Sequence, residues 1–405
     1  GGSGRGNTQE WLPAERPLLI VPGWGQSVLV HATAGEVWGP DSTSLSPLLL
    51  CPELLASIGS EELTACDVTV PRLGNGALDS LVSAPSGQSG PDFSPLIDSL
   101  TSHGYVPGET LFAFPYDWRI AAEDVSVGMS NWVRGQGWRT FDVIALDQGN
   151  SVLTHTLSRT GGVTVHTLVS FGMHAMAYST RWYTAAISGA AVIFPPVDAW
   201  SGHQLLLSSP SYYEGVAMQQ AEEDERGGSF PMYVDWGSER LTNVAALRSV
   251  VTEANAQNVV LTLDDQPRPL PFRDDLVDYF LLELVGKQRT PPAILAILVQ
   301  GGGLLTPLGI LWPDVSAGSL LNSSLQVIEF APGDTMVLAE VAHEHTPPDS
   351  YFEVDGAQGG QYANGNSTVG VALRALGRAC PWTGTWEVTA TGEGGTWAGE
   401  GSLRE

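Results

Sequence analysis

Four stretches of this chain read as strands that run straight into a turn, and the first is apolar from Pro17 to Val21. They are PLLIVPG (Pro17–Gly23), TLFAFPYDW (Thr110–Trp118), FDVIALDQGN (Phe141–Asn150) and VHTLVSFG (Val165–Gly172). A strand with one wet face alternates apolar and polar residues; an uninterrupted apolar strand is buried on both faces. Helical patterns lie between them: Ser94–Tyr105, ending near Gly104, then Ala121–Gly137, and a third that begins right after Asp147. Asp67–Gly74, DVTVPRLG, reads as a further strand. Strand and helix in this rhythm predict an α/β fold, a mostly parallel central sheet covered by helices on both sides.

From Met173 to about Leu321 the rhythm fails and Pro, Ser, Tyr and Trp cluster, which reads as an inserted cap. It returns with LQVIEFAPGD (Leu325–Asp334), SYFEVDG (Ser350–Gly356) and a helix through Val369–Arg378. The expected division is therefore an N-terminal extension (1–16), a first core part (17–172), a cap (173–321), a second core part (322–381) and a Trp/Gly-rich extension (382–405) that forms a hairpin. Ala293–Trp312 is a long uncharged run, but its GGG and Pro307 argue for buried core or a partner-facing patch over a membrane span.

The net charge of -26, from 18 basic against 44 acidic residues, repels phosphate backbones and excludes nucleic acid as an electrostatic partner. Charged residues are nevertheless only 15 % of the chain, against about 25 % usually. That thin charge does not fit a halophile surface, and with 43 % hydrophobic residues and 13 Trp it points to surface buried against protein partners. Cys51, Cys66 and Cys380 are too few for a disulfide framework and lack metal-site spacing. A Cys51–Cys66 bridge and buried free thiols both remain open. The opening GGSGRGNTQEW reads as a mature chain, of organellar or secretory location, and the sequons at Asn322 and Asn366 matter only in the latter.

Taken in order, these pieces resemble the lecithin:cholesterol acyltransferase and lysosomal phospholipase A2 family, a branch of the α/β-hydrolases. PLLIVPGWGQSVL is similar to the family's first strand and oxyanion loop, and DVTVPRLG to its Val-x-Val-Pro-Gly-Phe-Gly segment. PLIDSLTSHGYVPGETLFAFPYDWRIA carries the family's helix, Gly-Tyr and Pro-Tyr-Asp-Trp-Arg, and is the most specific match. VIALDQGNSVL falls on the nucleophile turn, usually His-Ser-Met-Gly-Asn; LVSFGMHAM falls on Ser-Leu-Gly-Ala-Pro. APGDTMV matches the Gly-Asp-Gly-Thr-Val of the triad acid, and DGAQGGQYANGNSTVGVALRAL the region of the triad histidine. The resemblance implies an α/β-hydrolase fold with a cap, and acyl transfer from lipid.

Such chemistry needs a nucleophile, a histidine to carry its proton, a carboxylate to orient the histidine and backbone donors for the oxyanion. The resemblance puts Asp147 at the nucleophile, Asp334 at the acid, Gly359 at the histidine, and the N–H groups of Trp24 and Gln148 at the oxyanion hole. Shifting the register by one residue offers Gln358 or Gly360, so no imidazole is restored. Asp tolerates the strained turn, and enzymes resembling haloalkane dehalogenases and epoxide hydrolases use an Asp nucleophile, but they too require a histidine. His174, His343 and His345 are the candidate substitutes; the bland reading makes them loop histidines, and His343 with His345 does not make a metal site. If Asp147 and Asp334 face each other, they share a proton. Trp118 reads as packing and Arg119 as the partner of a nearby carboxylate. The expectation is a protein that has lost its reaction and serves as a structural or binding subunit, without cofactor or metal. The alternatives are an acyl hydrolase or acyltransferase with a displaced histidine, an Asp-nucleophile hydrolase, and a module that holds an acyl chain.

Overall fold

The computed structural model describes residues 14–42, 51, 53–56, 58, 66–71, 78–81, 92–172, 205, 207–225, 233–236, 239–246, 248–249, 272–284, 293–312, 326–333, 351–355, 362–378, 390–392 and 395–397. Along the chain, β1 (Leu18–Val21) is followed by β2 (Leu29–His31), β3 (Gly35–Trp38) and β4 (Val68–Thr69). Then come α1 (Ser94–Ser102), β5 (Leu111–Ala113), α2 (Ala122–Gln136), β6 (Thr140–Leu146), α3 (Gln148–Arg159) and β7 (Thr164–Phe171). The next segment holds α4 (Pro210–Glu225), β8 (Tyr233–Trp236), β9 (Glu239–Leu241) and α5 (Asp274–Leu284). Last are β10 (Ala293–Gly302), β11 (Leu304–Trp312), β12 (Gln326–Gly333), β13 (Tyr351–Asp355), α6 (Asn366–Ala375), β14 (Ala390–Gly392) and β15 (Gly395–Trp397).

The central sheet has six strands in the order β13-β10-β7-β6-β1-β5, and every neighbouring pair is parallel. The apolar runs explain it. Along β1, Leu18 and Ile20 join one buried cluster while Leu19 and Val21 join the other, the period of two that a strand imposes. One cluster takes Val125, Met129 and Val133 of α2 with Val152 and Leu153 of α3. The opposite cluster takes Leu96 and Leu100 of α1 with Val369, Ala372 and Leu373 of α6. Helices thus cover both faces of the sheet.

Three assignments change. DVTVPRLG contributes β4, but this pairs antiparallel with β2 in a small β3-β2-β4 sheet instead of joining the central one. Ala293–Gly302, read as part of the cap, is β10, the strand between β7 and β13. LQVIEFAPGD supplies β12, which belongs to a second sheet, β12-β11-β8-β9, and pairs antiparallel with β11. A strand buried on both sides carries the same uniform apolarity as a buried patch, so periodicity alone does not separate them. The tail hairpin is present as the antiparallel pair β14 and β15. Cys51 and Cys66 are disulfide-bonded.

Candidate active site at the β6–α3 turn

β6 ends at Leu146 and α3 begins at Gln148, which leaves one residue, Asp147, to reverse the chain. Its backbone is at φ 43°, ψ -118°. That conformation is strained for a residue with a Cβ, at roughly 1–3 kcal/mol, and the surrounding contacts must hold it. Three glycines make the contacts feasible. A Cβ on Gly149 would lie 2.5 Å from the carbonyl oxygen of Val21 and 2.6 Å from that of Pro22, so α3 starts against the end of β1 only because this residue has no side chain. A Cβ on Gly23 would lie 2.7 Å from Asp147 Oδ2, and one on Gly172 would lie 2.6 Å from Asp147 Oδ1. The carboxylate is therefore enclosed between the ends of β1 and β7.

Its orientation is set by Gln26. The backbone N–H of Gly23 donates to Gln26 Oε1 across 2.6 Å, and Gln26 Nε2 donates to Asp147 Oδ2 across 3.2 Å. An N–H cannot accept, so the Gly23 bond fixes which end of the amide faces the carboxylate. Asn150 completes the turn, donating to the Asp147 carbonyl from its backbone N–H and from Nδ2. Gln26 and Asp147 are both buried.

Beneath the turn, the Tyr116 hydroxyl donates to the carbonyl of Pro22 across 2.8 Å, and Gln148 Nε2 donates to the carbonyl of Ile120 across 3.2 Å. Burial, then the nearby charges of Asp147 and Glu214, push the Tyr116 phenol well above its ordinary value, so it stays a hydrogen-bond donor. Of the oxyanion positions, Gln148 opens α3. Trp24 lies in the turn after β1 with its indole in a cluster with Trp118 (ring centroids 4.1 Å apart) and Trp38 (6.4 Å). Trp118 is thus packing, as expected. Arg119 pairs with Asp117 through Nε (2.9 Å) and Nη2 (2.6 Å), a buried fork that holds the Pro-Tyr-Asp-Trp-Arg segment.

Asp334, Gly359, His174, His343 and His345 lie outside the described residues. The strands that lead to three of them end on the edge that carries Asp147. Phe171, before His174, stands opposite Leu146. Gly333, before Asp334, stands opposite Leu304, next to the end of β10, so the β11–β12 excursion returns to the central sheet. Asp355, before Gly359, stands opposite Gly302. The four described histidines have other surroundings: His166 Nδ1 is 3.5 Å from Asp142 near the start of β6, His155 Nε2 is 3.9 Å from Glu214 Oε1, His31 Nδ1 accepts from the Ala34 N–H across 3.1 Å, and His103 Nδ1 is 2.6 Å from the Ser99 carbonyl oxygen. Among the described residues no group of His, Cys, Asp and Glu could hold a metal ion. Sequence reading missed Gln26, Gly23, Gly172 and Glu214; for Gln26 the signal was its place three residues after Gly23 in PGWGQ.

A chain of the Tle4–Tli4 complex superposes on this protein with a TM-score of 0.57 at 14% identity, over 92% of this chain and 100% of that one. The fold is that of an α/β-hydrolase. A selenomethionine-substituted hypothetical protein from Pseudomonas aeruginosa PAO1 is also similar, at 11% identity over 90% of this chain and 91% of that one, with a TM-score of 0.26. The family model of lecithin:cholesterol acyltransferase matches residues 72–127. This match spans the Pro-Tyr-Asp-Trp-Arg segment and the start of α2, so the α/β-hydrolase scaffold carries an acyltransferase-like element that ends before the β6–α3 turn. No curated protein matches the chain.

Proposed function

We propose that this lecithin:cholesterol acyltransferase-like protein is catalytically inactive and serves as a structural or binding subunit in a larger protein assembly. The observation that carries the reading is the environment of Asp147. Its carboxylate stands where the family resemblance puts the nucleophile, yet one oxygen accepts from Gln26 and each oxygen lies against a glycine that leaves no room even for a methyl group. A carboxylate held in this way acts as a bracket between β1, β7 and α3. A nucleophile would need a free oxygen aimed at a reactant and a histidine to serve it. The thin surface charge and abundant Trp support burial against protein partners, and the net charge of -26 opposes nucleic acid. The Cys51–Cys66 bridge supports maturation in an oxidising, secretory-type compartment.

A second reading, an Asp-nucleophile hydrolase served by His174, His343 or His345, is favoured by the retained strain at φ 43°, since strain of this kind gathers at working sites. A panel of fluorogenic acyl esters and phospholipids, offered to the wild type and to Asp147→Asn, separates the two. The subunit reading expects no turnover from either protein. Wild-type turnover that Asp147→Asn abolishes would establish the hydrolase.

A further inference from the structure

We propose that Glu214 is a proton-controlled latch: lodged as a neutral side chain on the first turn of α2, it holds α4 against the core, and its ionisation loosens that hold. The latch is independent of any chemistry at Asp147. The residue before α2 is Ala121, whose side chain cannot cap the helix. The cap comes instead from a distant element: the backbone N–H of Ala122 donates to Glu214 Oε2 across 2.6 Å. A second tether lies one turn earlier on α4, where the Ser211 N–H donates to the carbonyl of Arg119 across 3.0 Å. Both tethers hold α4 to the segment that Gln148 binds at Ile120.

Glu214 is 4% exposed. The groups facing it are Glu123 and Asp124 from α2, His155 from α3, and Tyr116 from the loop after β5. The N-terminal end of α2 and its Ala122 and Glu123 N–H groups favour the charged form. Burial opposes it most strongly, and the Glu123 and Asp124 charges add to that; together they raise the carboxyl from 4.5 to about 8. Once α4 is released into water, the ordinary value returns. Between these limits the latched state holds a proton that the released state has lost, so rising pH favours release. The population ratio moves by about tenfold per pH unit and levels off above the upper limit.

The test is amide hydrogen exchange along α4 in the full chain, corrected for intrinsic rates, from about pH 4 to about pH 9, which spans both limits. In the wild type, opening of α4 should rise by about tenfold per unit and then level. Glu214→Gln keeps the acceptor but cannot ionise, and should show a flat profile; His155→Asn should keep the wild-type slope. A flat wild-type profile, an unchanged slope in Glu214→Gln, or a slope lost in His155→Asn would overturn the proposal. Should Glu214→Gln not fold, carboxyl carbon NMR on the wild type decides: a glutamate titrating near 8 supports the latch, and all glutamates titrating near 4.5 contradict it.

Discussion

Gln26 and Asp147 stand 121 residues apart in sequence and meet at 3.2 Å, through an amide whose other end is bound by Gly23. Neither group reaches solvent freely, so each depends on the other. Gln26→Leu leaves the Gly23 N–H and Asp147 Oδ2 buried without this partner. Stability should fall by about 2–4 kcal/mol, read from denaturant midpoints. Asp147→Asn retains an acceptor and a side chain tolerant of positive φ, and should cost less than about 1 kcal/mol.

Gln26→Glu gives the same site a pH dependence. Two carboxylates in contact cannot both ionise cheaply, so one keeps its proton in the folded chain. The native state then binds a proton that the unfolded chain releases above about pH 4, and stability should decline as pH rises through neutrality. Urea melts of Gln26→Glu against wild type at acid and neutral pH check the sign. Equal loss at both would show that the two side chains do not touch.

Two glycine substitutions should have opposite signs. Gly149→Ala drives a methyl group into the carbonyls of Val21 and Pro22 and should destabilise by more than about 3 kcal/mol. Gly135→Ala lies inside α2 with nothing within 4 Å of the new Cβ, and should stabilise by about 0.5–1 kcal/mol through helix propensity. Thermal melts of the pair decide it.

These contacts mark the limit of what the sequence could tell. The alternation of strands such as Leu18–Val21 and Phe141–Leu146 with helices was enough to predict a parallel sheet covered on both faces. It could not assign Ala293–Gly302, whose apolarity suits a cap patch equally well, nor separate β12 from the central sheet, since pairing partners are not written in a strand. At the site, resemblance pointed to the turn between β6 and α3 that holds Asp147 and Gln148. Local residue chemistry could not reveal that Gln26 turns back onto Asp147, or that Glu214 caps α2 from 92 residues away.

The Asp117–Arg119 fork is fully buried and lies within the acyltransferase-like segment. Arg119→Lys cannot reproduce two parallel bonds, and Arg119→Met leaves Asp117 charged in the interior. We expect losses of about 3–5 kcal/mol for Arg119→Met and less for Arg119→Lys, measured by chemical denaturation.

The Cys51–Cys66 bridge spans a separation of 15 residues. Closing a loop of that size stabilises by about 3 kcal/mol in the chain-entropy account. Cys66→Ser should lower stability by that order, and alkylation without reductant should leave Cys51 unmodified in the wild type, as read by mass spectrometry.

The most direct measurement concerns the oxygens of Asp147. In multiple-turnover incubations with acyl esters, phospholipids and epoxides in water enriched in oxygen-18, a carboxylate that attacks substrate and is regenerated by water acquires the label. Mass spectrometry of the peptide containing Asp147 reads it. A carboxylate that only braces β1, β7 and α3 should come back unlabelled, with no product formed. Oxygen-18 in Asp147, appearing together with product, would contradict the account and make this residue a nucleophile.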